Sequence, residues 1–201
     1  MISEPPNTRT FEVIERLCSL LRGLEREEGG QVGLHPVHLQ VLWFLERANR
    51  YSDTPASVAD YLDVTRGTAS STIRVLREKG LVQERQDVDD RRVTRLSLTP
   101  AGRGVLQEGL PPRVFDEAIA GLGCEAETLE RLLVDLLRGV QRGAGARAFG
   151  VCRTCDHFTP TSSGYRCGLT GEDLTDEDAQ LLCREHTVPV PGQPAPTSPG
   201  G

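Results

Sequence analysis

The sequence predicts a mainly helical fold with one small β hairpin, followed by a small metal-stabilised module at the C-terminus. Three observations lead to this prediction. Apolar residues recur at helical spacing through most of residues 7–142. Two short β-like runs flank the segment QDVDDRR, whose charges suit an exposed hairpin tip. Four cysteines lie within residues 151–187, a segment too short to build a large apolar core.

The composition is typical of a folded protein that is not embedded in a membrane. The chain has 201 residues, 37% of them hydrophobic, and no apolar run long enough to cross a bilayer. The first residues, MISEPPNTRT, lack the charged start and apolar core of a signal peptide, so we expect the protein in the cytoplasm. Because cytoplasmic thiols stay reduced, the six cysteines indicate metal ligation or redox chemistry instead of a disulfide framework.

Two amphipathic helices are predicted at the start of the chain. The first begins near Asn7 or Thr8 and frays at the sequence EREEGG. The second runs from Pro36 to about Arg47. Since their apolar residues recur at helical spacing, we expect both helices to pack in the core.

A short helix, a tight turn and a longer helix are predicted next. Thr54 and Pro55 provide an N-cap and a first-turn proline, and the short helix ends near Asp63. Thr65 can cap the longer helix, because its hydroxyl can accept a free backbone N–H of the first turn. The stripe predicted to be buried on the longer helix consists of Ala69, Ile73 and Leu76. This order of elements predicts a helix-turn-helix.

The outer face of the longer helix has the composition of a surface that enters the major groove of DNA. Short hydroxyl side chains permit close approach, and guanidinium groups can bind guanine or phosphate. Arginine at the hairpin tip suits the narrow and strongly negative minor groove. The predicted DNA-contacting residues are Thr65, Arg66, Thr68, Ser70, Ser71, Arg74 and Arg77 on the helix, and Arg91 and Arg92 at the tip; Gly67 and Thr72 are assigned to the same helix face.

The charge of this region differs in sign from that of the whole chain. The chain carries a net charge of -6, whereas residues 65–95 hold eight Arg/Lys and five Asp/Glu and therefore carry +3. We expect the acidic residues of the tip to fix its shape by pairing with neighbouring arginines, namely Asp87, Asp89 and Asp90 with Arg85 and Arg92. A local positive surface on an acidic protein predicts DNA binding that is strongly sensitive to salt.

These residues resemble the MarR-type winged helix regulators. The resemblance is carried by VTRGTASSTIRVLREKGLV, by the spaced residues Arg85, Asp87, Asp90 and Arg92, and by LSLTPAG at Leu96–Gly102. With the flanking helices it extends over roughly residues 7–142. It implies a winged helix-turn-helix domain with dimerisation helices, a homodimer that binds a palindromic operator, usually repression of transcription, and a pocket for a small-molecule effector beside the dimer helices.

Three helical segments are predicted after the hairpin. Thr99 and Pro100 start one that runs to about Glu108, residues 114–119 resume it after two prolines, and residues 125–142 form the longest. The leucine-rich face of the longest segment is wider than one small domain needs, which indicates a partner chain. In the resembling family the terminal helices interlock across a two-fold axis, which places two recognition helices about 34 Å apart.

The C-terminal part divides by composition into a linker at residues 143–150, a cysteine-rich module at 151–187 and a disordered tail at 188–201. The predicted metal ligands are Cys152, Cys155, Cys167 and Cys183, the last of them late in a helix capped by Thr175. Between residues 152 and 187 there are seven Asp/Glu and three Arg, a net charge of -4 that repels phosphate. The module is therefore not a second DNA-binding finger.

Zinc is the metal that the sequence favours, because four thiolates form tetrahedral structural zinc sites that contribute folding energy. His186 is a rival fourth ligand and His157 a further one. A [4Fe–4S] cluster is the alternative, since CRTCDHF, YRCGLTGEDL and LLC resemble the spacing and flanks of high-potential ferredoxin-like sites. The aromatic residue that usually precedes the last cysteine of such sites is missing here.

The predicted function is that of a dimeric, sequence-specific regulator that binds double-stranded DNA and represses transcription. Release from DNA would follow from a small ligand or from chemistry at the cysteine module. Two other classes stay open: a redox protein in which the cysteine cluster is the functional site, and an adaptor that uses the winged helix for protein contacts. No catalytic motif is found, so an enzyme is not predicted. Cys18 is interpreted as a small buried apolar residue and Cys124 as incidental.

Overall fold

The computed structural model describes residues 6–31, 33–162 and 164–189, so most of the predicted tail lies outside the described residues. No helix in these ranges is both long and apolar enough to cross a membrane. The helices are α1 (Pro6–Gln31), α2 (Pro36–Arg47), α3 (Pro55–Tyr61), α4 (Arg66–Glu78), α5 (Pro100–Gly109), α6 (Arg113–Gly121) and α7 (Ala126–Ala144). The strands are β1 (Val82–Gln86), β2 (Thr94–Leu98), β3 (Gly150–Val151), β4 (Phe158–Thr161), β5 (Gly164–Cys167), β6 (Asp173–Leu174) and β7 (Leu182–Cys183).

The core lies between α2, α3, α4 and the first hairpin. Phe44 and Leu42 of α2 are fully buried, and they belong to one cluster with Ile73 of α4 and Leu96 of β2. Strands β1 and β2 are antiparallel, with Val82 opposite Leu98 at the open end of the hairpin and Gln86 opposite Thr94 next to the tip. This arrangement confirms the predicted mainly helical fold with a small β wing.

The helix-turn-helix has the predicted caps. The Thr54 hydroxyl accepts the backbone N–H of Ser57, and the Thr65 hydroxyl accepts that of Thr68. Between the helices Asp63 adopts a left-handed conformation with φ of 51°, which an aspartate tolerates better than most residues. Thr72 was assigned to the outer face and is buried instead, because its hydroxyl donates back to the Thr68 carbonyl of its own helix and does not reach into solvent.

Helix α1 is longer than predicted. It continues through EREEGG to Gln31, where the sequence predicted fraying. Gly29 explains how the chain then turns into α2: the N–H of Leu34 donates to the Gly29 carbonyl at 2.7 Å, and a Cβ at Gly29 would lie 2.8 Å from the Leu34 oxygen. Gly29 thus permits close packing of the chain that follows the helix.

The predicted helix before Cys183 is wrong. Thr175 caps only a single 3₁₀ turn, Asp178–Gln180, and Cys183 lies in the short strand β7. Strand β7 pairs antiparallel with β3, so that Cys183 lies opposite Gly150. Long-range backbone pairing has replaced the local helical preference of the segment.

The predicted linker is held against the helix-turn-helix. Within residues 143–150, the Phe149 ring packs edge-on against the ring of Tyr61 with 5.2 Å between centroids. Arg147 forms an ion pair with Asp60 at 3.3 Å. The flexibility predicted from Gly and Ala content is therefore offset by one apolar and one charged anchor.

Three helices expose apolar side chains on the outside of this chain. The exposed residues are Phe11, Val13, Leu17 and Leu20 on α1, Val114 on α6, and Leu132, Leu133, Leu136, Leu137 and Val140 on α7. In α7 they all lie on the same side of the helix, whereas Glu127, Glu130, Arg131 and Asp135 carry charge elsewhere on it.

Candidate nucleic-acid interface and cysteine cavity

Helix α4 presents the predicted contact residues to solvent. All nine residues assigned to DNA contact are exposed, both those on α4 and those on the wing. The Thr65 cap holds the first turn of α4, and the Ser71 hydroxyl donates to the Thr68 carbonyl. A helix with a polar, arginine-bearing outer face and an apolar inner face can lie in a groove without losing its place in the core.

The arginines of α4 each have an acidic neighbour. Arg77 pairs with Glu84 of β1 at 2.7 Å, and Arg74 lies 3.9 Å from Glu78. Such exposed pairs contribute little to stability, on the order of 0–1 kcal/mol. The guanidinium groups can therefore exchange a carboxylate for a phosphate or a guanine at small cost.

The wing tip is built around Asp87. The backbone N–H of Asp90 and the guanidinium of Arg95 lower the pKa of Asp87 to about 2. Arg95, not Arg85 as predicted, is its partner, with 2.6 Å between Nε and Oδ2. Arg95 also pairs with Asp53 at 2.8 Å and thereby anchors the wing in front of α3.

The two tip arginines differ in their surroundings. The predicted pairing of Arg92 with Asp90 is confirmed, at 2.9 Å. Arg91 is exposed beside it. The tip thus has a shape fixed by Asp87 and Asp90 while both arginines stay at the surface.

The four cysteines of the C-terminal module line one cavity of about 60 Å³. Cys152 and Cys155 lie at the two ends of a 3₁₀ turn, Cys167 ends β5 and Cys183 ends β7. Burial raises the pKa of the Cys152 thiol to about 12, and the charges of the other three thiols act in the same direction. The fold has brought together all four residues that the sequence assigned to one centre.

The two histidines of the module have different positions. His157 lines the cavity, and its Nε2 lies 3.2 Å from the Thr187 hydroxyl. His186, the rival ligand, is not part of the cavity wall. It packs on Gly150, where a Cβ would lie 2.6 Å from the imidazole ring, and its Nε2 is 3.0 Å from the Thr154 hydroxyl. His186 therefore packs β3 against the turn that follows it.

Within the part of the chain that the structure describes, no group of three or more His, Cys, Asp or Glu side chains is arranged to hold one ion. The four thiols nevertheless share one cavity. Both observations bear on which metal centre could bind there. Cys18 on α1 and Cys124 before α7 do not belong to this cavity.

The cavity lies against the helix-turn-helix, which the sequence did not predict. Asn49 and Tyr51, from the turn between α2 and α3, form part of its wall. The Tyr51 hydroxyl donates to the Glu172 carboxylate of the module, and Arg50 pairs with the same carboxylate at 3.1 Å. No local sequence signal marks these contacts, because they join residues more than a hundred positions apart.

A larger pocket of about 640 Å³ lies on the other side of α2. It is lined by residues of α1, α2, α3, α6 and α7 and of the segment 143–150, and its wall is largely apolar. Residues that contribute to it include Trp43, Tyr61, Phe115, Leu137 and Phe149. Its size suits a small organic molecule.

The fold and the exposed α4 surface define a winged helix-turn-helix protein. A family model described as the MarR family matches residues 32–93, from the segment before α2 to the last residues of the wing tip. No curated protein matches the chain.

Solved structures share this fold. The transcriptional regulator SlyA is 20% identical with a TM-score of 0.54, covering 69% of this chain and 96% of SlyA. MepR of S. aureus in complex with DNA is 21% identical with a TM-score of 0.52, covering 68% of this chain and 99% of MepR. Wild-type MarR of E. coli is 22% identical with a TM-score of 0.51, covering 67% of this chain and 98% of MarR. These similarities establish the fold, and the function has to be argued from the residues of this chain.

Proposed function

We propose that this protein is a sequence-specific DNA-binding regulator that acts as a homodimer on a palindromic operator and represses transcription. The observation that carries the proposal is the outer face of α4. It presents seven exposed polar or basic residues between Thr65 and Arg77, while the inner face of the same helix is buried. The wing holds Arg91 and Arg92 beside it. Phosphate contacts would position the protein, and contacts from α4 to base edges would select the sequence.

The similar structures support this assignment. The S. aureus MepR structure is a DNA complex, and a MarR variant from E. coli has been solved with operator DNA, with a TM-score of 0.51 to this chain. Both have the fold that presents α4 and the wing here. The apolar faces of α1, α6 and α7 support a dimer, since exposed apolar patches of this extent mark interaction surfaces.

The proposal is tested by the retardation of DNA fragments from the protein's own promoter region at several salt concentrations. We expect one fragment to be retained at nanomolar to micromolar protein, with affinity that falls steeply as salt rises. Failure to retain any fragment even in dilute buffer would remove DNA binding as the function and favour the adaptor.

Arg74 is expected to contribute to base recognition. The R74A variant should lose about 1–3 kcal/mol on the cognate fragment and discriminate less between cognate and altered sites. R131A, on the polar side of α7, is the matched control and should bind like the parent. An equal loss on every DNA sequence would instead make Arg74 a phosphate contact.

Arg91 is expected to contact the DNA backbone or the minor groove without reading sequence. The R91A variant should weaken binding to all fragments and lower the slope of log affinity against log salt by about 1. A slope equal to that of the parent protein would place the wing tip outside the interface. Because Asp87 and Asp90 hold the tip, its shape should survive the substitution.

We further propose that Cys152, Cys155, Cys167 and Cys183 ligate a metal centre and that the pocket of about 640 Å³ accepts a small-molecule effector. Zinc and a [4Fe–4S] cluster are the two candidates for the centre. Metal analysis and the visible spectrum of protein purified without air distinguish them, since zinc sites are colourless and iron–sulfur sites absorb visible light.

A further inference from the structure

We propose that the cysteine cavity holds a [4Fe–4S] cluster and that this cluster sets operator affinity by bracing the C-terminal module against the helix-turn-helix. The inference rests on the proposed DNA-binding function and adds its regulation. It is carried by the size of the cavity, by the position of the cavity between the two parts of the chain, and by the contacts that lead from Cys183 to α4.

The size of the cavity favours a cluster over a single ion. Zinc–sulfur bonds of about 2.3 Å draw four thiolates together around one point and leave no space between them. The cavity of about 60 Å³ that the four cysteines help to line is several times the roughly 10–15 Å³ that one water-sized sphere requires. The donors described by the structure form no compact ion site. Four thiolates around an occupant of several atoms are the ligand set of a [4Fe–4S] cluster.

The surroundings of the thiols suit such a cluster. Phe158 and Leu169 contribute apolar walls, and the Phe158 ring packs on Tyr165 with 4.7 Å between centroids. Cys152 and Cys183 are buried. Limited access of solvent protects a cluster and influences its reduction potential.

The strand that carries Cys183 is bonded directly to the turn before α3. The Asn49 N–H donates to the Leu182 carbonyl at 2.9 Å, and the Arg184 N–H donates to the Ser52 hydroxyl at 2.8 Å. That hydroxyl in turn donates to the Asn49 side-chain oxygen at 2.7 Å. Asn49 is 2% exposed and Ser52 is fully buried, so these bonds are shielded from water and hold β7 in place.

The next residue carries the connection to the recognition helix. Arg184 directly follows Cys183, and its guanidinium pairs with Asp60 of α3 at 2.6 Å. Asp60 also pairs with Arg66, the first residue of α4, at 3.3 Å. The two arginines bind different oxygens of Asp60: Arg66 pairs with Oδ1 and Arg184 with Oδ2, where Arg147 also pairs at 3.3 Å. Asp60 therefore connects the residue after Cys183 to the first residue of α4.

This arrangement fixes the expected sign of the effect. A cluster that ties Cys183 to the other three thiols keeps Arg184 on Asp60, which fixes the Asp60 carboxylate and, through its pair with Arg66, the start of α4. Without the cluster, β7 loses an anchor, Arg184 can leave Asp60, and the start of α4 is held less firmly in the orientation that binds DNA. Operator affinity should then fall by about tenfold or more, a coupling of the size common between linked sites.

The experiment uses the full-length protein purified without air. Iron, acid-labile sulfide and zinc are measured per chain, and the protein is reconstituted with ferrous iron and sulfide where loading is incomplete. Operator affinity is then compared for the loaded protein and for the same protein after iron chelation. We expect four irons and four sulfides per chain, visible absorption, and binding at least about tenfold weaker after chelation.

Two variants and one control make the test specific. C183S should lose the cluster and bind like the chelated protein, whereas C124S, which removes an exposed thiol outside the cavity, should keep both properties. D60N should retain the cluster and lose the difference in affinity between loaded and chelated protein. Chelation of the parent protein tests the same point without a substitution, so a folding defect in C183S does not decide the outcome.

Each contrary result overturns a distinct part of the proposal. Stoichiometric zinc without iron, or no bound metal after reconstitution, overturns the cluster. A full cluster with equal operator affinity before and after chelation overturns the coupling and leaves DNA binding intact. A cluster-containing protein that retains no DNA in either form overturns the coupling together with the proposed function, and favours a redox protein.

Discussion

Replacing Leu136 with glutamate is expected to convert the proposed dimer to a monomer and to abolish retention of operator DNA. Leu136 lies in the middle of the apolar face of α7 and is 43% exposed in the single chain. If that face is covered by a second copy, a carboxylate there is moved from water into an apolar contact. Substitution at a central interface residue of this kind costs about 2–4 kcal/mol, and a buried unpaired charge adds to that.

The oligomeric state of L136E is measured by sedimentation or light scattering over a range of concentrations. The matched control is R131E, which places the same carboxylate on the polar side of the same helix and should remain a dimer. Helical content should be unchanged in both variants, because Leu136 contributes little to the core of its own chain. A dimeric L136E would show that α7 is covered by something other than a second copy.

The loss of DNA binding follows from the geometry of a palindromic site. Two recognition helices held about one DNA turn apart bind as one unit, and the second contact benefits from a high effective concentration. A monomer retains the α4 surface but loses that benefit, so its affinity should approach that of non-specific binding. L136E should therefore lose cognate binding far more than it loses weak, salt-dependent binding to unrelated DNA.

Local signals in the sequence were sufficient to predict the helix-turn-helix. Thr54, Thr65 and Thr99 each accept a backbone N–H three residues ahead, as the capping pattern predicts. Capping depends on the few residues around the helix start, so it can be recognised without knowledge of the rest of the fold. The exposed face of α4 followed from the same local periodicity, apart from Thr72.

Contacts between distant segments could not be predicted in this way. Arg85 was the obvious partner for Asp87 by its position in the sequence, yet the fold brings Arg95 closer because the hairpin register places its side chain toward Asp53. Cys183 was predicted in a helix because its segment begins with a good cap. Pairing with Gly150 and the bridge from Leu182 to the end of α2 decide its conformation instead.

The sequence predicted which cysteines lie together but not where in the fold their cavity lies. The spacing of the four cysteines identified them as one group, since nothing else in a short acidic module could hold it together. The spacing carried no information on Asn49, Tyr51 or Asp60, which belong to the other part of the chain. For this reason the sequence suggested a self-contained metal module, whereas the structure places the cavity at a junction with the turn that leads into the helix-turn-helix.

A pair of glycines in α5 offers a sharp test of packing at the root of the wing. The G102A variant is expected to be destabilised by about 2–3 kcal/mol, because a Cβ there would lie only 2.2 Å from the Leu81 carbonyl oxygen. That carbonyl cannot move away freely, since it accepts the N–H of Thr99 at 3.0 Å and also its hydroxyl at 3.2 Å. Gly102 is helical and needs no unusual backbone angle, so the cost arises from the close approach alone.

G104A is the matched control, two residues further along the same helix, where a Cβ would meet nothing within 4 Å. Alanine has the higher helix propensity, so G104A should be stabilised by about 0.5–1 kcal/mol. Thermal unfolding of both variants at one protein concentration should move the midpoint in opposite directions, by about 2–4 °C per kcal/mol. If both variants were stabilised alike, β1 and α5 would have to separate at Leu81, and the wing would not be held at its root by this contact.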